Sequence, residues 1–200
     1  MESVGFEIYV KDNAIDETFC DELVDFFEND DSKSQGGMFN TKNVIIYNKH
    51  YKNSTEIFID VKNFPDKYGK IYKKIYKQLK NDINNLLEVS SGAKELLTDN
   101  SWDVIMTKIQ KTEKGDVCFR PHIDNSSNRS TIERVLVFIY YLRTVEEGGG
   151  TRFPTHNNLV VNSVKGRLLF FPPYWPYIHE GLDPISSDKY ILNGWIRVVW

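Results

Sequence analysis

The sequence predicts a mainly β (α+β) fold, an antiparallel sheet structure buttressed on one side by helices. Three observations carry this. Two amphipathic helical stripes fall in the first hundred residues, and after Asn100 the pattern changes to short strand-like runs separated by Gly, Pro and Asn. Aromatic residues reach 14%, with eleven Tyr and twelve Phe, side chains that suit a pleated, half-buried surface. Helices followed by many strands is the order of a sheet covered on one face, not of alternating βαβ units.

Taken in order, Phe6 to Val10 alternates as a short strand. Asp16 is placed to cap a helix whose apolar face is Phe19, Cys20, Leu23, Val24 and Phe27. A polar stretch from Asn29 to Thr55 contains Gly36-Gly37 and one strand-like run, Val44 to Tyr47. The rest of it reads as a loop and a candidate lid. Pro65 suits the first turn of a second helix, with Tyr68, Tyr72, Ile75, Leu79, Ile83 and Leu86 on one side, ending near residue 88. Lys70, Lys73, Lys74, Lys77 and Lys80 lie on its other side, as on a solvated amphipathic face. Trp102–Ile109, Arg134–Leu142, Leu159–Val161, Arg167–Phe171 and Tyr190–Trp200 are the later strands.

Two hundred residues suit a single domain, here 1–200, with 1–100 as helical support and lid region and 101–200 as the β core carrying the metal site. A net charge of −3 gives no global pull toward nucleic acid or anionic membrane, so neither partner is expected. No apolar run is long enough to span a bilayer, and the first residues lack the basic and apolar regions of a secretory signal. Cys20 and Cys118 are far apart and outside any CxxC pair, as befits two free buried thiols in a reducing compartment. A cytoplasmic location is expected.

The chemistry-bearing residues are few. Within Phe119-Arg120-Pro121-His122-Ile123-Asp124, the His-x-Asp spacing puts both side chains on one face of a strand. A bare pair of this kind is common and carries little by itself. His179, in Tyr177-Ile178-His179-Glu180-Gly181, lies between two strands that a β-sandwich would bring alongside it. Two imidazoles and one carboxylate form the facial set of a non-haem Fe(II) centre with open positions. Lys189 follows at a distance that allows it to hold an acid on the same iron. His50 and His156 are spare. Arg120 and Arg129 flank the first two candidate ligands, where they would meet an acidic substrate.

From Ser101 to Trp200 the chain resembles the Fe(II)/2-oxoglutarate-dependent dioxygenases, in the prolyl 4-hydroxylase-like branch. The resemblance is carried by His122-x-Asp124, Arg134, Ile139-Tyr140-Tyr141-Leu142, Gly148-Gly149-Gly150-Thr151-Arg152-Phe153-Pro154, Lys165-Gly166-Arg167-Leu168-Leu169-Phe170-Phe171, His179, Lys189 and Trp195-Ile196-Arg197. It implies a double-stranded β-helix (jelly roll, cupin-like) with N-terminal supporting helices. It implies His122, Asp124 and His179 as metal ligands and catalytic centre, and Lys189 and Tyr141 as 2-oxoglutarate contacts. Tyr140 should face the other way, and Trp195 and Arg197 fall near the pocket. The implied cofactors are Fe(II), 2-oxoglutarate as co-substrate and O2, with ascorbate as a candidate accessory.

The implied activity is hydroxylation of a peptidyl side chain or a small molecule, with release of succinate and CO2. The presence of Asp124 favours hydroxylation over halogenation, because related halogenases lack that carboxylate. Where this branch carries a cofactor-reaching tyrosine, the chain has Thr112. Two other readings use the same residues: a non-catalytic metal- or ligand-binding module on this fold, and a nucleic-acid-directed oxidase using the lysine-rich helix face. The substrate and oligomeric state are not encoded in any of these motifs.

Overall fold

The computed structural model describes residues 1–39, 44–98, 102–125 and 133–199. The first strand-like run is split in two. β1 (Glu2–Gly5) and β2 (Ile8–Lys11) form a hairpin that turns at Glu7, whose φ of 53° is left-handed. Asp16 caps α1 (Glu17–Asn29), accepting from the Phe19 N–H at 2.7 Å, and Cys20, Leu23, Val24 and Phe27 form its buried face.

Outside residues 40–43, the polar stretch that follows carries more secondary structure than its composition suggests. It holds β3 (Ser34–Gln35), β4 (Met38–Phe39), β5 (Ile45–Ile46) and β6 (Thr55–Phe58). The backbone pairings that shape β3, β4 and β5 are made by segments too short to show a hydrophobic period.

Pro65 opens α2 (Pro65–Val89), which buries Tyr68, Ile71, Ile75, Leu79, Ile83 and Leu86. Its lysines Lys70, Lys73, Lys74, Lys77 and Lys80 are exposed. Ser90 then caps a short α3 (Ser91–Leu97) by accepting from the Ala93 N–H at 3.0 Å. The remaining strands are β7 (Trp102–Thr112), β8 (Phe119–His122), β9 (Arg134–Tyr141), β10 (Thr151–Phe153), β11 (Leu159–Val161), β12 (Leu168–Phe171), β13 (His179–Gly181) and β14 (Lys189–Val198). The last strand's expected end at Trp200 lies outside the described residues.

Two antiparallel sheets face each other. The larger has the order β1-β2-β12-β9-β14-β7-β6-β3, so strands from both halves of the sequence build it, and the smaller is β11-β10-β13-β8. A separate β4-β5 ribbon stands beside them. This is the double-stranded β-helix with helices on one sheet.

The alternation of β9 explains the layering. Leu136, Phe138 and Tyr140 face α1 and α2, whereas Val137, Ile139 and Tyr141 face the smaller sheet. A central strand buried on both faces reads as one continuous apolar run. The Tyr140 hydroxyl donates to buried Asp82 of α2 at 2.7 Å, and Lys11 binds the same carboxylate at 2.6 Å. That network ties α2 to the sheet. The Gly148-Gly149 turn delivers β10 beside β13. Both residues have φ near +70°, and a Cβ on Gly148 would lie 2.1 Å from the Asp183 carbonyl oxygen.

Candidate metal centre and co-substrate pocket

β8 and β13 pair so that His122 and His179 stand directly opposite each other, with ring centres 4.3 Å apart. Cross-strand neighbours on one face come this close by sheet geometry alone. Asp124 lies just past the end of β8 rather than within the strand. The chain bends there and still brings its carboxylate to the histidines: Oδ1 is 3.5 Å from His122 Nε2, and Oδ2 is 3.7 Å from His179 Nε2. One ligand atom from each residue lies within 4.8 Å of the others, the spacing needed to share one ion.

Each ring is oriented from behind. His122 Nδ1 lies 2.8 Å from the Arg120 carbonyl, and His179 Nδ1 lies 3.1 Å from that of Tyr177. A backbone acceptor at Nδ1 places the proton there and leaves the Nε2 lone pair pointing inward, as metal ligation requires. Burial and repulsion by His122 outweigh the attraction of Asp124 and hold His179 down to about 4, so its imidazole is neutral at physiological pH. Burial alone would raise the pKa of Asp124. The two histidines and Arg134 overcome it and keep the carboxylate far below its ordinary range.

Two further residues grip Asp124. Trp195 donates from Nε1 to Oδ2 at 3.0 Å, and Arg134 donates to the Asp124 backbone carbonyl at 2.9 Å. The Arg134 guanidinium also stacks 3.8 Å from the Trp195 ring centre. The sequence pattern marks Trp195 only as core packing near the cofactor end. Its place on the inner face of β14, shared with Lys189 at even spacing, is the signal that could have shown more.

These residues border a cavity of about 470 Å³ whose walls include Lys189, Thr151, Ile191, Asn193, Cys118 and Gly181. Lys189 is buried, yet its ammonium has only the Cys118 sulfur at 3.5 Å and the Gly150 carbonyl at 3.4 Å. Among the described residues no carboxylate pairs with it. A buried ammonium without an anion is costly, so the site has room and charge for an acid.

Tyr141 is fully buried and its hydroxyl donates to Thr151 Oγ1 at 2.7 Å, so it meets the cavity through Thr151. Thr112 stands opposite Lys189 across β7 and β14, with its hydroxyl 3.7 Å from the Cys118 sulfur. Of the remaining residues singled out in the sequence, Arg197 pairs with Glu133 and Asp103, and Arg120 with Asp183. His156 stacks on Tyr177, His50 is exposed, and Arg129 lies outside the described residues.

Comparison with known proteins agrees with this geometry. The 2OG-Fe(II) oxygenase superfamily profile matches residues 107–197. The mouse and human prolyl 4-hydroxylase subunit alpha-3 are 30% identical over 96 residues, 40% of this chain. The match spans only 17% of the length of those curated relatives.

Among solved structures, the viral collagen prolyl hydroxylase of Paramecium bursaria Chlorella virus-1, in a 2OG complex, aligns over 98% of both chains with a TM-score of 0.64 and 21% identity. A Trichoplax adhaerens prolyl hydroxylase in complex with a hypoxia inducible factor peptide fragment aligns over 96% of this chain and 84% of its own, with a TM-score of 0.67 and 17% identity. A Pseudomonas putida prolyl-4-hydroxylase aligns over 97% and 94%, with a TM-score of 0.62 and 14% identity. At these identities the structural likeness speaks for the fold. Together with the profile match over residues 107–197 and the convergent His122, Asp124 and His179, it leads to one conclusion: the chain has the double-stranded β-helix fold and is similar, over its second half, to the 2OG-Fe(II) oxygenase superfamily.

Proposed function

We propose that the chain is an Fe(II)- and 2-oxoglutarate-dependent dioxygenase that hydroxylates a prolyl residue of a peptide, releasing succinate and CO2. One observation carries the proposal: three pinned ligand atoms converge in a cavity that a buried lysine also lines, and among the described residues no carboxylate pairs with that lysine. His122, Asp124 and His179 fit a ferrous ion and leave a face of it open. Lys189 fits the far carboxylate of a 2-oxo acid, with Thr151, oriented by Tyr141, beside it.

Bound iron and 2-oxoglutarate would supply the activation of O2 for C–H hydroxylation. The protein's part is positional. The two backbone carbonyls fix the imidazoles, Trp195 and Arg134 fix Asp124, and Ile139, Ile191 and Trp195 line the cavity with apolar surface that limits water. A cytoplasmic location belongs to the same proposal and rests on the two free buried thiols, Cys20 and Cys118.

The test is succinate release with proline-containing peptides, with and without Fe(II) and 2-oxoglutarate, and a mass increase of one oxygen on the peptide. Dependence on both additions, lost in His122→Ala, Asp124→Ala and His179→Ala, is the expected result. Undiminished turnover in all three variants overturns the proposal.

A further inference from the structure

Beyond the metal and co-substrate positions, the cavity contains a second charged cluster. Lys52, Glu56 and Lys108 line it and are each more than nine-tenths buried. Lys52 and Lys108 both bind Glu56 Oε1, the latter at 2.9 Å. Two ammonium groups on one carboxylate leave one positive charge without a counterpart among the described residues. A purely structural buried pair needs only one lysine, and an extra desolvated cation destabilises unless something answers it.

The cluster adjoins the reacting end of the cavity. Lys52 Nζ lies 4.9 Å from the Phe119 ring centre, and Phe119 stacks on His122 at 3.6 Å. Lys108 Nζ lies 5.8 Å from the ring of Trp195, which bonds Asp124. Each lysine is thus one aromatic ring away from a proposed metal ligand. Asn193 stands opposite Lys108 across β14 and β7, lines the same cavity, and is nine-tenths buried. Its Oδ1 has no hydrogen-bond partner among the described residues. That atom calls for a donor, as the lysines call for an acceptor.

We infer that Lys108, with Lys52 and Asn193, forms a substrate subsite for a carboxylate-bearing peptide, in which an acidic side chain beside the target residue meets the lysines and a peptide N–H meets Asn193. The inference rests on the hydroxylase reading given above and narrows its substrate class. In that reading Fe(II), Asp124, the two carboxylates of 2-oxoglutarate, Lys189 and Arg134 sum to one positive charge, so the co-substrate has no negative charge to spare for the lysine excess. Lys52 is pushed down to about 8, by burial first and then by the neighbouring charge of Lys108. An incoming anion relieves that strain on both.

The experiment uses the full chain loaded with Mn(II) and saturating 2-oxoglutarate, which fills the Lys189 end. Calorimetry then measures binding of short glycine peptides with a central proline, carrying one glutamate or one glutamine at each flanking position in turn. The expected result is a glutamate peptide that binds about tenfold more tightly than its glutamine twin, as charge-assisted bonds are stronger than neutral ones.

Lys108→Met removes the excess charge while leaving Lys52 on Glu56, and it should erase that ratio without changing 2-oxoglutarate affinity. Lys108→Arg should retain it. Glutamate and glutamine twins bound equally at every position, no peptide bound at all, or a preference that survives Lys108→Met overturns the inference. The same peptides are then offered to the Fe(II) form. A glutamate preference in binding without hydroxylated product means the hydroxylase reading fails and the subsite stands. Product without preference means the reverse.

Discussion

Replacing Trp195 by phenylalanine tests how the central carboxylate is held. The change keeps an aromatic ring against the interior of the fold and removes one atom pair, the Nε1–H that donates to Asp124 Oδ2 at 3.0 Å. A hydrogen bond to a charged acceptor contributes about 1.5–3 kcal/mol. Groups that orient metal ligands from behind typically change metal affinity by about 10- to 100-fold when removed, which is about 1.4–2.7 kcal/mol. The two routes agree. Trp195→Phe should therefore weaken Co(II) or Fe(II) binding by one to two orders of magnitude, with little loss of thermal stability. Calorimetric titration of the metal-free protein measures the first, and a melting curve the second. Metal affinity equal to the wild type would refute the reasoning, because Asp124 would then be held by Arg134 and packing without help from the indole.

Other outcomes follow from the pocket. Lys189→Met should lower 2-oxoglutarate affinity by about 10- to 150-fold through loss of a charge-assisted contact, while the melting temperature holds or rises because a buried unpaired cation is gone; calorimetry and melting curves check both. Gly181→Ala should also weaken 2-oxoglutarate binding, since its Cβ would sit 2.4 Å from the Cys118 sulfur, 3.2 Å from the Cys118 Cβ and 3.5 Å from Lys189 Nζ, and Gly181→Ala with Cys118→Gly, which removes both Cys118 atoms, should recover it. An unrecovered double variant would count against that steric route.

Stability should also gain a pH-dependent contribution from Lys52. Its folded value of about 8 lies below the ordinary 10.5, so the unfolded chain binds more protons in that window and this contribution grows as pH rises from 8 toward 10.5. Lys52→Met should remove a gain of about 1–3 kcal/mol, read as the wild-type minus variant difference in urea stability at pH 8 and pH 10. A pH-independent difference would contradict the assignment.

Much of this was legible in the sequence for a physical reason. Helix stripes impose a period, as α1 and α2 show, and a strand buried on both faces imposes a continuous apolar run, as β9 shows. The grouping of His122, Asp124 and His179 was legible through the flanking segments that resemble the family, since a bare His-x-Asp pair is common by chance. The hairpin of β1 and β2, the ribbon of β4 and β5, and α3 were not, since each is too short for a period and depends on a left-handed residue, a cap or a partner strand. The same limit hid the Lys108–Glu56 pairing, which joins residues far apart in the chain through the register of β6 on β7. Tyr141 shows the finer limit: alternation assigns its face correctly, but the acceptor of its hydroxyl, Thr151, comes from another sheet.

β14 works as a ruler. Lys189, Ile191, Asn193 and Trp195 are successive marks on one face, at about 6.8 Å per step, running from the proposed co-substrate anchor to the residue that bonds Asp124. The separation between the two ends is therefore set by strand pitch, not by loops that can drift in length. A single inserted residue between Lys189 and Trp195 would turn one end of the ruler to the opposite face. Such a change would separate acid binding from metal binding in one step, whereas equal insertions in the connections around Asn125 or Asp183 leave that spacing untouched. The tolerance of this chain to length variation should accordingly be lowest over those seven positions, although only two of them belong to the groups proposed to hold iron and co-substrate.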